Sequence, residues 1–106
     1  MFENFGNIMD MVKNIQSNVN YVQEKLQTER IEVSSGDAVK VVINGQQNIL
    51  AIEISSKYLT PENASLLQDV LVSTVNGALA KSRELQQAAM DKIASELNLP
   101  KIPGLF

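Results

Sequence analysis

Val39-Lys40-Val41-Val42-Ile43-Asn44-Gly45-Gln46-Gln47-Asn48-Ile49-Leu50-Ala51-Ile52-Glu53-Ile54 is the stretch that decides the fold. Two runs rich in β-branched residues flank an Asn-Gly pair, the pattern of two antiparallel strands joined by a tight turn. Asn-Gly suits a two-residue type I′ turn, because both residues tolerate positive φ. That turn would set Ile43 opposite Gln46 and Val39 opposite Leu50, with the second strand covering Gln47 to Ile54. Upstream, Glu29 to Ser35 alternates polar residues with Ile31 and Val33, and Ser35, Gly36 and Asp37 supply turn chemistry. A three-stranded antiparallel sheet over 29–55 follows. In this register one face carries Val39, Val41, Leu50 and Ile52 and the other Val42, Ile49 and Ala51. Neither face suits water, so a second copy of the chain is expected to help cover the sheet through its second face or its edge strands.

Before the sheet, Phe5, Ile8, Val12, Ile15, Val19, Val22 and Leu26 recur at alternating steps of three and four, a heptad seam on an otherwise polar segment. Such a narrow stripe predicts a helix over 1–28 that lies against another helix. After the sheet, Thr60 can serve as an N-cap, Pro61 fits the first helical position, and Glu62 complements the helix dipole. Helical patterning then runs over 60–97, with Asn98 as a C-cap, Pro100 beyond it and 98–106 as a tail. Unbroken, this helix would be about 55 Å long, against a radius of gyration near 13 Å for a compact chain of this size. It must break or protrude. Leu66, Leu67, Val70, Leu71, Val75 and Leu79 form a wide stripe fit to cover the sheet, and Leu85, Ala89, Ile93 and Leu97 a narrow one fit to pair with the first helix. Gly77 lies near the change, and Ala88 and Ala89 allow close helix approach.

Composition narrows the function. With 106 residues, 44% of them apolar, the chain suits one domain. It has no cysteine and no histidine, which removes thiolate nucleophiles, disulfides and the commonest metal ligands. The carboxylates are scattered and no phosphate-cradling glycine loop is present, so the sequence offers no catalytic residues, metal site or cofactor site. The amino terminus lacks a signal-peptide pattern and no stretch approaches the ~20 apolar residues of a membrane span, which suggests a cytoplasmic protein without a membrane partner. Nine basic and twelve acidic residues give a net charge of -3. Residues 1–30 hold three basic and four acidic side chains, 31–60 two and three, and 61–106 four and five, so no third of the chain is basic.

The strand block quoted above, with Glu32-Val33 before it, resembles that of the YbaB/EbfC nucleoid-associated proteins. Leu67-Gln68-Asp69-Val70-Leu71 with Asn76-Gly77-Ala78 is similar to that family's second-helix signature, and Leu99-Pro100 with Pro103-Gly104 to its tail. Gly77 departs from the acidic residue common there, and the first helix offers only Lys13 and Lys25 where the family is richer in Lys and Met. The resemblance implies an α+β chain of one helix, a three-stranded sheet and one long or broken C-terminal helix pair, assembled as a tweezer-like homodimer. It further implies binding of duplex DNA with low sequence specificity, without catalysis, in the nucleoid, with effects on nucleoid organisation or gene expression. On that arm geometry the residues expected to contact phosphate are Lys13, Lys25, Lys81, Arg83 and Lys92. Lys81 and Lys92 could instead pair with Glu84 and Glu96 at helical spacing. Phe2, Phe5, Tyr21, Tyr58 and Phe106 are too scattered to form a stacking platform for single strands. The other reading of the same features is a protein-interaction module whose helical arms clamp another polypeptide.

Overall fold

A computed structural model describes residues 2–96, with side chains described from Asn7 onward. The elements run α1 (Phe2–Thr28), β1 (Ile31–Ser35), β2 (Val39–Ile43), β3 (Ile49–Ile54), two short 3-10 turns (Ser56–Tyr58 and Pro61–Asn63) and α2 (Ala64–Glu96). The strands form one antiparallel sheet in the order β1-β2-β3. The chain is therefore α+β, and it is elongated. Its extents are 73 × 22 × 16 Å and its radius of gyration 19.9 Å, well above the roughly 13 Å of a compact chain of about 100 residues.

Of the two outcomes open to the second helix, breaking or protruding, the chain takes the second. α2 runs unbroken for 33 residues, about 50 Å at the helical rise, and passes from sheet to arm as one rod. Gly77 lies inside it. A Cβ built there would meet Val33 Cγ1 at 3.7 Å, ordinary contact distance. Gly77→Ala is therefore expected to stabilise the chain by about 0.5 to 1 kcal/mol, since alanine removes backbone freedom from the unfolded state without a clash. A urea melt checks this through a raised midpoint at unchanged slope. The start of the helix differs from expectation. Thr60 precedes a 3-10 turn and its side chain makes no capping bond, the entry being closed by Asn63 N–H donating to the Thr60 carbonyl at 3.1 Å. Leu97, Asn98, Pro100 and the rest of the tail lie outside the described residues.

Under the first half of α2 lies the main core of Val39, Val41, Ile43, Leu67 and Ala78. The stripe of leucines and valines expected to cover the sheet is only partly used, because Leu66 is 54% exposed. The centre of the contact is instead Thr74, Ala78 and Ser82, all buried. These small side chains at helical spacing let α2 approach β1 and β2 closely. Thr74 hydroxyl bonds the Val70 carbonyl and the Ser35 hydroxyl, so its burial leaves no polar group unpaired.

The turn between β2 and β3 overturns the two-residue reading. Val39 lies opposite Ile54, Val41 opposite Ile52, Val42 opposite Ala51 and Ile43 opposite Ile49, with a register shift at Val42/Ile43 that leaves Leu50 as the extra residue of β3. Val39 does not face Leu50, nor Ile43 Gln46, and β3 begins at Ile49 and not at Gln47. The turn spans residues 44–48, closed by Asn44 N–H donating to the Asn48 carbonyl at 3.0 Å. Positive φ falls on Gln47 (63°) and, in the β1–β2 turn, on Gly36 (56°), whereas Gly45 lies outside the left-handed region.

The reason is the C-terminus of α1, which lies against this turn. Gly45 N–H donates to the Leu26 carbonyl at 2.8 Å, and Asn44 Nδ2 to the Gln27 carbonyl at 3.2 Å. Thr28 hydroxyl donates to the Lys25 carbonyl at 2.8 Å, and the Arg30 guanidinium to the Thr28 carbonyl at 3.2 Å. Each of the last four carbonyls of α1, orphaned by helix geometry, thus has a donor. On its other side the turn is held by Ser82. Its hydroxyl donates to the Asn44 carbonyl at 2.7 Å and accepts from the Gln47 N–H at 2.9 Å, which fixes Gln47 in its left-handed conformation.

The sheet faces also differ from expectation. Ile49 shares the helix-covered face with Ile43, and the outer face is polar enough for water. There Lys40 bridges Glu53 at 3.1 Å and Glu32 at 3.9 Å across all three strands. What remains uncovered is β3, because α2 packs on β1 and β2. Ile49 (41% exposed), Leu50 (44%) and Ile52 (46%) are left open to solvent.

Candidate nucleic-acid interface

The arm is built by α1 and the second half of α2 lying antiparallel. Leu26, Met90 and Ile93 form its buried seam, with Val19, Val22, Leu85 and Ala89 packed against them. The heptad seam of α1 is therefore used at its body end. Towards the other end Ile8 (51% exposed) and Val12 (49%) lie open, and the side chain of Phe5 is outside the described residues.

Nine basic residues are present, and the structure divides them by what they touch. Arg30 is committed to the carbonyls of Thr28 and Glu29. Lys40 is held between Glu53 and Glu32, and the hydrogen bond from Glu53 raises its pKa above the usual lysine value. Lys57 pairs with Asp37 at 2.5 Å and sits 5.3 Å from the centroid of the Tyr58 ring. The hydrogen bonds from Lys57 and then Tyr58 hold the Asp37 carboxyl below the ordinary carboxylate range. Lys101 lies outside the described residues.

The five others are Lys13, Lys25, Lys81, Arg83 and Lys92, all exposed and all on α1 or α2. Among the described residues none of the five forms an ion pair, so the helical pairs Lys81–Glu84 and Lys92–Glu96 are not made. The structure brings two of them together. Lys25 of α1 and Lys92 of α2 line one groove of about 370 Å³ between the helices, floored by Val22, Leu26, Ala89 and Ile93. Lys81 and Arg83, with only Ser82 between them, do not form a cluster, because two helical steps set them about 160° apart. Lys13 lies farther along α1, away from both. Asn18, which sequence reading passed over, and Tyr21, read there only as one of five scattered aromatics, line the same groove as Lys25. The signal is the spacing of three from Asn18 to Tyr21 and four from Tyr21 to Lys25, which puts all three on one helix face.

The sequence profile of the YbaB/EbfC DNA-binding family matches residues 1–97. The chain belongs to the YbaB/EbfC DNA-binding family. Among relatives of this YbaB/EbfC chain is a nucleoid-associated protein of Syntrophobacter fumaroxidans, 42% identical over 103 residues, covering 94% of each chain. Another, from Pelotomaculum thermopropionicum and likewise named a nucleoid-associated protein, is 38% identical over 104 residues, covering 97% of this chain and 96% of its own. A third, from Ruminiclostridium cellulolyticum with the same name, is 35% identical, covering 97% and 89%. No helix among the described residues is long and apolar enough to cross a membrane. No group of three or more metal-ligating side chains comes together among them either. The geometry of this YbaB/EbfC chain thus offers an extended rod along which five cations make no ion pair among the described residues, suited to binding a polyanion.

Proposed function

We propose that the chain is a cytoplasmic, nucleoid-associated protein that binds duplex DNA as a homodimer. Its two arms straddle the duplex and contact phosphates with little sequence preference, and no chemical step is catalysed. The observation that carries this reading is the partition of charge. The described cations on the body are engaged by neighbouring groups, whereas Lys13, Lys25, Lys81, Arg83 and Lys92, on the two helices that form the arm, make no ion pair among the described residues. The names of the relatives support the same reading. Phosphate contacts fix position and orientation but carry little sequence information, which accounts for shallow specificity.

The second copy is supported by what the sheet leaves open. Gly77 of α2 faces Val33 of β1. Val72, Val75 and Leu79 lie about 140 to 160° round the helix from it and so turn towards β3. Val75 and Leu79 pack against the core, while Val72 is 63% exposed and Ile49, Leu50 and Ile52 are open on β3. Open apolar side chains of this kind are what a twofold-related copy would cover.

Titration of the full chain onto a labelled duplex at two salt concentrations tests the reading. Affinity is expected to fall at least about tenfold between roughly 50 and 200 mM salt, since each neutralised phosphate releases counterions. Absence of binding even in dilute buffer would contradict it and favour arms that clamp another polypeptide.

A further inference from the structure

We infer that the duplex-binding surface of each arm is one face of α1, in which the neutral donors Asn14, Asn18 and Tyr21 contact DNA phosphates beside Lys25, with Lys92 of α2 completing the site across the groove. The inference rests on the duplex binding proposed above and names the residues that perform it.

On a helix, residues 14, 18, 21 and 25 fall within about 60° of one another and span about 17 Å along the axis. All four side chains are exposed. Tyr21 is 67% exposed, more than any other large hydrophobic or aromatic side chain described. An aromatic residue so placed on a helix whose seam lies elsewhere adds nothing to the core. Among the described residues the side chains of Asn14, Asn18 and Tyr21 make no hydrogen bond to the protein, in contrast to Gln23, Asn44, Gln46 and Gln47, which are engaged at the turn. Of these engaged amides only Gln23 belongs to α1, and it sits at the body end where the turn packs.

Charge along the groove fits a phosphate backbone. Asn18, Tyr21, Lys25 and Lys92 line it together with Glu29 and Glu96. Because α1 and α2 run antiparallel, Glu29 lies at the body end and Glu96 at the outer end of the described groove, with the two lysines between them. The carboxylates therefore bound a central cationic stretch. Asparagine and tyrosine side chains are regular phosphate ligands, and their bonds to an anion are charge-assisted. Being neutral, they release no counterions on binding. This explains how a chain of net charge -3 can hold a polyanion, and it predicts a salt dependence shallower than a cation count would give.

Two arms with two lysines each neutralise up to four phosphates, for a slope of log affinity against log salt of about -3.6, whereas all five arm cations on both arms would give about -9. The test uses the full chain, a labelled duplex and a salt series. The variant Asn14→Ala/Asn18→Ala/Tyr21→Phe is expected to bind at least about tenfold more weakly than the parent at every salt concentration with the slope unchanged, since its lost bonds are uncharged. The variant Lys25→Gln/Lys92→Gln is expected to flatten the slope. A thermal melt controls for folding, and these exposed positions are expected to leave it within a few degrees of the parent. A triple variant that binds like the parent, or a parent slope near -9, overturns the inference while duplex binding stands. A parent that ignores the duplex overturns the proposed function and this inference together.

Discussion

Gly45→Ala is expected to remove about 3 kcal/mol of stability and to loosen α1 from the body, the largest effect anticipated for a single methyl group in this chain. A Cβ at position 45 would lie 2.7 Å from Leu26 Cδ2 and 2.9 Å from the Leu26 carbonyl oxygen. The side chain could swing aside, but the carbonyl belongs to the last turn of a helix and accepts the Gly45 N–H at 2.8 Å. Relief therefore requires α1 and the turn to separate, which combines overpacking strain of about 1 to 3 kcal/mol with loss of hydrogen bonds worth about 1 kcal/mol each. For a domain of this size the melting temperature should fall by roughly 12 to 24 °C. The fold should open at the arm first, so limited trypsin digestion should cut after Lys25 or Arg30 before it cuts in the sheet. A variant that melts with the parent would show that α1 is not anchored through this turn.

This same residue marks where the sequence stopped being legible. The number and order of strands, the two helices and the elongated shape could be read from local periodicity, because each element's pattern agrees with its place in the fold. The turn could not. Asn44 and Gly45 have the chemistry of a type I′ hairpin, but a tertiary demand prevails: α1 needs donors at its C-terminus and room to approach, and Asn44 and Gly45 supply both. The register shifted accordingly, and with it the assignment of Ile49 to a face. Thr74 and Ser82 were missed because buried hydroxyls carry no apolar signal, although their spacing with Ala78 places them on the packed face of α2. At the candidate interface the five cations could be picked out by their place on the helices. That Lys25 and Lys92 share a groove, while Lys81 and Arg83 part company, needed the pairing of α1 with α2.

Ile52→Asp is expected to convert the chain from a dimer of about twice 11.7 kDa to a monomer of that mass. Ile52 is 46% exposed on β3, the strand that α2 leaves uncovered, opposite the fully buried Val41. A carboxylate there remains hydrated in an isolated chain, so the monomer fold should survive. In a symmetric dimer the substitution appears twice and brings two unpaired carboxylates into an apolar contact, each costing several kcal/mol. The dissociation constant should rise by at least about a thousandfold, equivalent to about 4 kcal/mol. Light scattering across a concentration series reads the mass directly. Duplex affinity should fall with it, because one arm cannot straddle the helix and the gain from two linked contacts is lost. A variant that keeps the parent's mass would place the dimer contact elsewhere or remove it.

The absence of cysteine from the chain allows the most direct test, since a single introduced thiol can carry a photo-crosslinker without background. The probe belongs at Ser17, exposed on α1 beside the Asn18–Tyr21 face, with Ser56 in the turn after β3 as the control on the body. Illumination with a short duplex is expected to join DNA to Ser17→Cys and to leave Ser56→Cys unmodified. Labelling at the body position with none at the arm would contradict the claim that the arms hold the duplex.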